Sequence, residues 1–235
     1  VRSCATAEAV KLTENIFRAV NIALVNELKM IYGAMGIDIW EVIEAAASKP
    51  FGYMPFYPGP GLGGHCIPID PFYLSWKARE YGITTRFIEL AGEINAQMPK
   101  RVVAVLTEAI DRKKGKGLSR SRILIVGVAY KKNVDDIRES PALRLMQLIE
   151  DRGATTDFYD PLVPAIPETR EHKRLAGRRS LDWPIIGLPS YDAVLIVTDH
   201  DSVDYAELAR QAPLIVDTRN ACRRAGAALD KVVFA

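Results

Sequence analysis

The sequence predicts a helical domain over residues 1–117, followed over residues 118–235 by an α/β domain with a parallel, doubly wound sheet. Three observations carry this. Apolar residues recur at helical spacing over long stretches of the first half. A basic, apolar-poor segment of linker composition covers residues 113–122. Beyond it short apolar runs alternate with helical patterns, which implies right-handed crossovers between parallel strands. The 235 residues are 49% hydrophobic and 26% charged, with a net charge of +2. That balance excludes a disordered or collagen-like chain and gives no electrostatic hold on nucleic acid or a membrane surface. Cys4, Cys66 and Cys222 are odd in number and in no paired spacing. Neither a disulfide framework nor a metal site is therefore expected, and a reducing, cytoplasmic setting fits. The longest apolar runs fall far short of the roughly 20 residues a membrane span needs, and no signal-peptide pattern is expected at the start.

A first helix is expected over residues 7–32, because Leu12, Ile16, Phe17, Val20, Leu24 and Ile31 share one face while Lys11, Asn15, Arg18 and Lys29 lie opposite. A second is expected over 38–47, where Asp38 and Glu41 have the spacing of a capping box. Residues 50–64 hold too many Gly and Pro for a helix or a central strand and read as a built loop. A third helix is expected to open at Asp70-Pro71, with Asp70 as its cap, and to close near Gly82. A fourth is expected over 86–113, kinked or restarted at Pro99. After the linker, strands are expected at 123–129, 155–159, 193–197, 214–216 and 232–234. Helices are expected at 141–152, capped by Ser140, and around 203–211. Ligands of such a sheet sit at the carboxyl ends of its strands, here residues 127–132, 160–161, 198–200 and 217–220.

Cys66 stands between the glycine-rich Gly61-Leu62-Gly63-Gly64 and an expected helix start. Glycines admit close approach, and the free N–H groups and dipole of a helix start favour an anion such as a thiolate. Local chemistry leaves Cys66 open between an activated nucleophile and a small buried apolar residue. Asp70 reads as a cap that also has room to hold a water. His65 is assigned a loop hydrogen bond rather than a place in a cysteine-hydrolase pair, because adjacent residues point in different directions. Lys11 and Asn15, one helical turn apart, read either as a solvated face or as a pair that meets a developing oxyanion. In the second half, Val126-Gly127-Val128 carries a single Gly, and no G-x-G-x-x-G follows any strand, so there is no dinucleotide fingerprint. Lys131, Lys132, Asp135, Asp136, Arg138 and Glu139 suit phosphate and sugar contacts, or a solvated charged loop.

Several blocks together resemble one family, the nucleotide-sugar 6-dehydrogenases, which oxidise the C6 alcohol of a UDP- or GDP-hexose to a carboxylate with two NAD. The blocks are Ala7-Glu8-Ala9-Val10-Lys11-Leu12-Thr13-Glu14-Asn15, residues 58–71, residues 127–132, Asp136-Ile137-Arg138-Glu139-Ser140-Pro141 and Asp217-Thr218-Arg219. They follow the family's order along nearly the whole chain, and Gly63-Gly64-His65-Cys66 with Asp70 four residues on is highly specific. The resemblance implies an all-α dimerisation domain followed by a Rossmann-like UDP-binding domain. It also implies that the family's amino-terminal NAD-binding domain lies outside this sequence.

By the same resemblance Cys66 is the nucleophile, Lys11 stabilises oxyanions, and Asn15 and Asp70 orient substrate and hydrolytic water. Tyr57, Gly59, Gly61, Leu62 and Gly63 belong to a sugar-binding loop, Lys131 and Arg219 contact the UDP-sugar, and Arg138 reaches the cofactor NAD. The implied reaction is a four-electron oxidation. Cys66 traps an aldehyde as a thiohemiacetal, which becomes a thioester, Lys11 offsets the oxyanion charge, and Asp70 helps water attack the thioester. Residues 49–57 and 67–77 resemble the UDP-N-acetylglucosamine branch most, with UDP-glucose as runner-up, and polysaccharide biosynthesis is the implied setting. Without the NAD-binding domain the chain is expected to be inactive alone, which keeps a non-catalytic, dimeric UDP-sugar-binding module as the other reading.

Overall fold

Four helices come first: α1 (Cys4–Ala34), α2 (Ile39–Ala47), α3 (Cys66–Arg79) and α4 (Arg86–Lys114). The computed structural model describes residues 1–235, and its chain divides into two compact units, Val1–Met98 and Pro99–Ala235. Ser3 caps α1 by accepting the Thr6 N–H, and Asp38 caps α2 by accepting the Trp40 N–H at 2.9 Å. Each oxygen satisfies a donor that a helix start leaves orphaned.

The periodicity of α1 matches its helix, but the buried stripe is rotated from the expected apolar face toward the polar one: Asn15, Ala19, Ala23, Val25 and Asn26 are buried, while Leu12, Ile16 and Val20 are only half-buried. The partners there are Asp70 of α3 and Asn95 of α4, which hydrogen-bond to Asn15 and Asn26. Val10, Phe17, Leu24 and Ile31, spaced seven residues apart, stay 45% to 49% exposed.

α3 starts at Cys66, with His65 as its cap, so Asp70 and Pro71 lie inside the helix instead of opening it. Pro68 falls in the first turn, where its missing N–H costs nothing, and Pro71 omits only one intrahelical bond. The Asp70 carboxylate, a turn inside the helix, bonds to Asn15 of α1. His65 makes no side-chain cap and is exposed.

α4 continues through Pro99. Its second half buries Val102, Val103, Leu106, Ala109 and Ile110 in the core of the following sheet. The division therefore falls at Met98, 19 residues before the expected 117. Apolar burial, not the composition of the basic link, decides which unit this half-helix joins. The link itself is shorter than expected, since α4 ends at Lys114 and the first strand begins at Arg122.

The second unit holds β1 (Arg122–Val126), α5 (Pro141–Glu150), β2 (Thr155–Tyr159), β3 (Ala193–Ile196), α6 (Tyr205–Gln211), β4 (Ile215–Asp217), α7 (Ala221–Arg224) and β5 (Val232–Phe234). The strands pair in parallel in the order β2-β1-β3-β4-β5, which reverses direction between β1 and β3 and sets a topological switch point there. Side chains alternate across the sheet. Ile123 and Ile125 enter one core with α4 and α5, while Leu124 and Val126 enter the other with α6. β1 stops three residues before expected, because Gly127 turns the backbone to φ +82° and a Cβ there would meet the Thr198 carbonyl oxygen at 2.2 Å. Ser140 caps α5 as expected, accepting the Ala142 N–H. No helix is long and apolar enough to cross a membrane.

Candidate functional site

In the first unit the chemistry gathers where α1 faces α3. Asn15 donates from Nδ2 to Asp70 Oδ2 at 2.8 Å, and Lys11 Nζ stands 3.5 Å from the same oxygen. Arg18 donates from Nη1 to Asn15 Oδ1 at 2.7 Å, which fixes the direction of the Asn15 amide. Cys66 lies one helical turn before Asp70 on α3, just as Lys11 lies one turn before Asn15 on α1. Side chains four apart share a face. The thiol is half-buried at the first position of a 14-residue helix, where unsatisfied N–H groups and the helix dipole favour negative charge. The sequence-predicted Lys11, Asn15 and Asp70 thus meet in one cluster, with Cys66 beside Asp70.

The glycine-rich loop is tethered from beneath. The Gly59 N–H donates to Asn26 Oδ1 at 3.0 Å, Asn26 Nδ2 donates to Asn95 Oδ1 at 3.0 Å, and Asn95 Nδ2 donates to the Ala19 carbonyl at 3.0 Å. All three residues of this relay are buried. Tyr57 stacks on Trp40 with ring centroids 5.7 Å apart, and Phe56 meets Phe17 edge-on. Pro58, Gly59 and Pro60 are buried, whereas Gly61, Leu62 and Gly63 are half-exposed.

In the second unit the carboxyl ends of the strands converge on a buried carboxylate. Asp160, after β2, accepts the N–H groups of Val128 and Ala129 on one oxygen and those of Leu162 and Val163 on the other. Burial alone would raise its pKa, but the His200 hydrogen bond and the Leu162 and Ala129 N–H groups outweigh it and hold the carboxyl below its ordinary value. Of the two adjacent lysines after β1, Lys132 pairs with Asp201 at 3.0 Å. Lys131 is exposed, and its ammonium lies over the Tyr130 ring at 5.4 Å. Arg219, after β4, donates from Nε to the Val197 carbonyl at 2.9 Å, across the end of β3. Burial pushes its pKa down, against Asp199 and Asp217. Its Nη atoms make no hydrogen bond within the chain. Arg138 is exposed, and its guanidinium grips Asp136 at 2.6 Å.

Residues 5–97 match the family model of the UDP-glucose/GDP-mannose dehydrogenase central domain, and residues 124–224 match that family's UDP binding domain. This chain belongs to the UDP-glucose/GDP-mannose dehydrogenase family. A UDP-N-acetyl-D-mannosamine dehydrogenase of Methanococcus maripaludis is 38% identical over 197 residues, which cover 83% of this chain and 42% of that protein. An NDP-N-acetyl-D-galactosaminuronic acid dehydrogenase of Ralstonia nicotianae is 34% identical, over 93% of this chain and 49% of that one. Among solved structures, a UDP-D-ManNAc dehydrogenase from Pyrococcus horikoshii is 34% identical with a TM-score of 0.75, over 92% of this chain and 48% of that one. The chain spans about half the length of the curated relatives it matches.

The two family domains fall on the two units. Lys11, Asn15, Cys66, Asp70 and the loop lie in the central domain, and Lys131, Arg138 and Arg219 lie in the UDP-binding domain. Sequence reasoning did not single out Arg18, Asn26, Asn95, Asp160 or His200 as site residues. For all but Arg18 the signal is a buried polar side chain, and burial is set by partners 33 to 69 residues away for Asn26 and 40 for Asp160 with His200. No group of three or more His, Cys, Asp or Glu stands ready to hold a metal ion.

Proposed function

We propose that this chain carries the covalent-catalysis centre and the UDP-binding half of an NAD-dependent UDP-sugar 6-dehydrogenase. The observation that carries this reading is the cluster in which Lys11 and Asn15 converge on Asp70, one helical turn from Cys66. Within the substrate class the sequence favours UDP-N-acetylglucosamine. Relatives named as UDP-N-acetyl-D-mannosamine dehydrogenases support widening the proposal, so a UDP-N-acetylhexosamine is the proposed substrate. Lys131 and Arg219 are proposed to hold the diphosphate, as two cations that form no direct salt bridge at the carboxyl ends of β1 and β4. Two copies are proposed to pair through the exposed seven-residue repeat of α1.

The Cys66 sulfur adds to the C6 aldehyde carbon, a C–S bond forms, and the carbonyl oxygen becomes an alkoxide that Lys11 stabilises and protonates. Later, water activated by Asp70 adds to the thioester carbonyl, the C–S bond breaks, and the carboxylate leaves while Cys66 regains its thiol. Asn15 holds Asp70 in place for this step. NAD accepts the hydrides in the family's chemistry. The sheet unit does not fit that group, since the Val128 and Ala129 N–H groups, where a dinucleotide phosphate would sit, are taken by Asp160. Arg138 is the one residue here assigned to contact NAD.

The test needs no cofactor. The chain mixed with the C6 aldehyde of UDP-N-acetylglucosamine is expected to gain a covalent adduct at Cys66 by mass spectrometry, absent from Cys66→Ser. Lys11→Ala is expected to slow adduct formation by about 100- to 1000-fold, the usual effect of one lost oxyanion donor. An equal adduct on the Ser variant would remove the covalent reading. The manno and gluco aldehydes, run side by side, rank the two sugars.

A further inference from the structure

His200 has no role in the reading above, yet it is completely buried at the carboxyl end of the sheet. Burying an imidazole in an otherwise apolar surround is costly unless both nitrogens are paired. Here both are. Nδ1 accepts the backbone N–H of Asn133 at 3.0 Å, which leaves the proton on Nε2, and Nε2 lies 3.1 Å from Asp160 Oδ2. The same Asp160 oxygen accepts Val128 and Ala129 N–H at 2.6 and 3.0 Å. Residues from the ends of β2 and β3 therefore form one unit that holds both ends of the loop leaving β1.

We propose that His200 is a positioning residue for Lys131: with Asp160 it clamps residues 128–133 in the shape that presents the Lys131 ammonium to the diphosphate of a UDP-sugar. This rests on the assignment of Pro99–Ala235 as the UDP-binding unit. Between the clamped ends the side chains have separate fates. Asn133 adopts φ +62°, donates to Asp201 Oδ2 at 2.6 Å and accepts the Asp201 N–H at 3.1 Å, and Lys132 pairs with the same Asp201. The Tyr130 N–H is bound to the Asp136 carbonyl at 2.8 Å. The exposed Lys131 ammonium, by contrast, forms no salt bridge, and lies over the Tyr130 ring at 5.4 Å with Asp136 as its electrostatic neighbour, on a short loop held at both ends.

Two substitutions separate the clamp's halves. His200→Asn keeps an acceptor where Nδ1 stands, so the Asn133 N–H stays bound while the reach to Asp160 is lost. His200→Gln keeps a donor near Asp160 and strands the Asn133 N–H. Both are expected to lower the melting temperature. Calorimetry with UDP is expected to show affinity lowered about tenfold or more in His200→Gln and changed less than about threefold in His200→Asn. Hydrogen exchange at residues 129–134 is expected to accelerate in the Gln variant alone. Unchanged UDP affinity in a folded His200→Gln chain, or affinity falling in step with melting temperature in both variants, overturns the proposal. If the unsubstituted chain binds no UDP, the UDP-binding reading fails, and the exchange rates still decide the clamp: equal rates in the unsubstituted and Gln chains refute it. Should neither variant fold, nitrogen-15 NMR of the unsubstituted chain, which has 3 histidines, is expected to show His200 protonated on Nε2 only. A proton on Nδ1 refutes the clamp.

Discussion

Asp70 and Asp160 are the same residue put to opposite uses by their surroundings. Asp70 keeps 14% of its side chain exposed and shares one oxygen between Asn15 and Lys11, so it retains access to a substrate and to water. Asp160 is closed off, with four backbone N–H groups and His200 around it. Its lowered pKa has a consequence for stability. The unfolded chain takes up this proton more readily than the folded one, so the contribution of Asp160 is complete above the unfolded carboxylate value of about 3.9 and is lost as pH falls through the lower folded value. Urea melts across the acid range are therefore expected to show stability declining with falling pH, with a shallower decline in Asp160→Asn. Identical slopes for the two chains would count against this account.

At the level of elements, α1 shows both the reach and the limit of reading a pattern. Its helix follows from periodicity, and the spacing of Lys11 and Asn15 places them one turn apart on a face that meets Asp70. Which face is buried does not follow, because the partners Asp70 and Asn95 come from α3 and α4, 55 and 69 residues from the positions they bind. The strands were more legible. Ile123-Leu124-Ile125-Val126 is apolar on both faces, as a strand covered on both sides must be, and its end is written in Gly127. The start of α3 is not legible, because Asp70-Pro71 is a strong opening signal, whereas the helix opens at Cys66 and the Asp70 side chain bonds to Asn15 of α1. The exposed row Val10, Phe17, Leu24 and Ile31 has the spacing of a helix–helix seam. Light scattering is expected to report a dimer, and Phe17→Lys with Leu24→Lys a folded monomer. A monomer without the substitutions would remove α1 as the seam.

For the molecule as a whole, the proposed roles divide between the two units: the thiol and its carboxylate lie in Val1–Met98, and the cations proposed to hold the nucleotide lie in Pro99–Ala235. A ligand that binds only the folded second unit stabilises that unit by mass action, about 2.7 kcal/mol at about 100 times its Kd. UDP at that concentration is expected to slow hydrogen exchange about 100-fold in the slowest amides of β1, β3 and β4, and to leave those of α1 and α2 unchanged. Equal protection in α1 and β1, or none in β1, would place the nucleotide elsewhere.

The carboxylate of Asp160 can also be viewed as a ligand that the chain carries for itself. A group held in place by its own chain competes at the high effective concentration of an intramolecular partner, whatever the surroundings contain. A polypeptide that joins this sheet to a true dinucleotide-binding domain thus has no competition between two look-alike folds for one cofactor, because one of the two sockets is plugged from within.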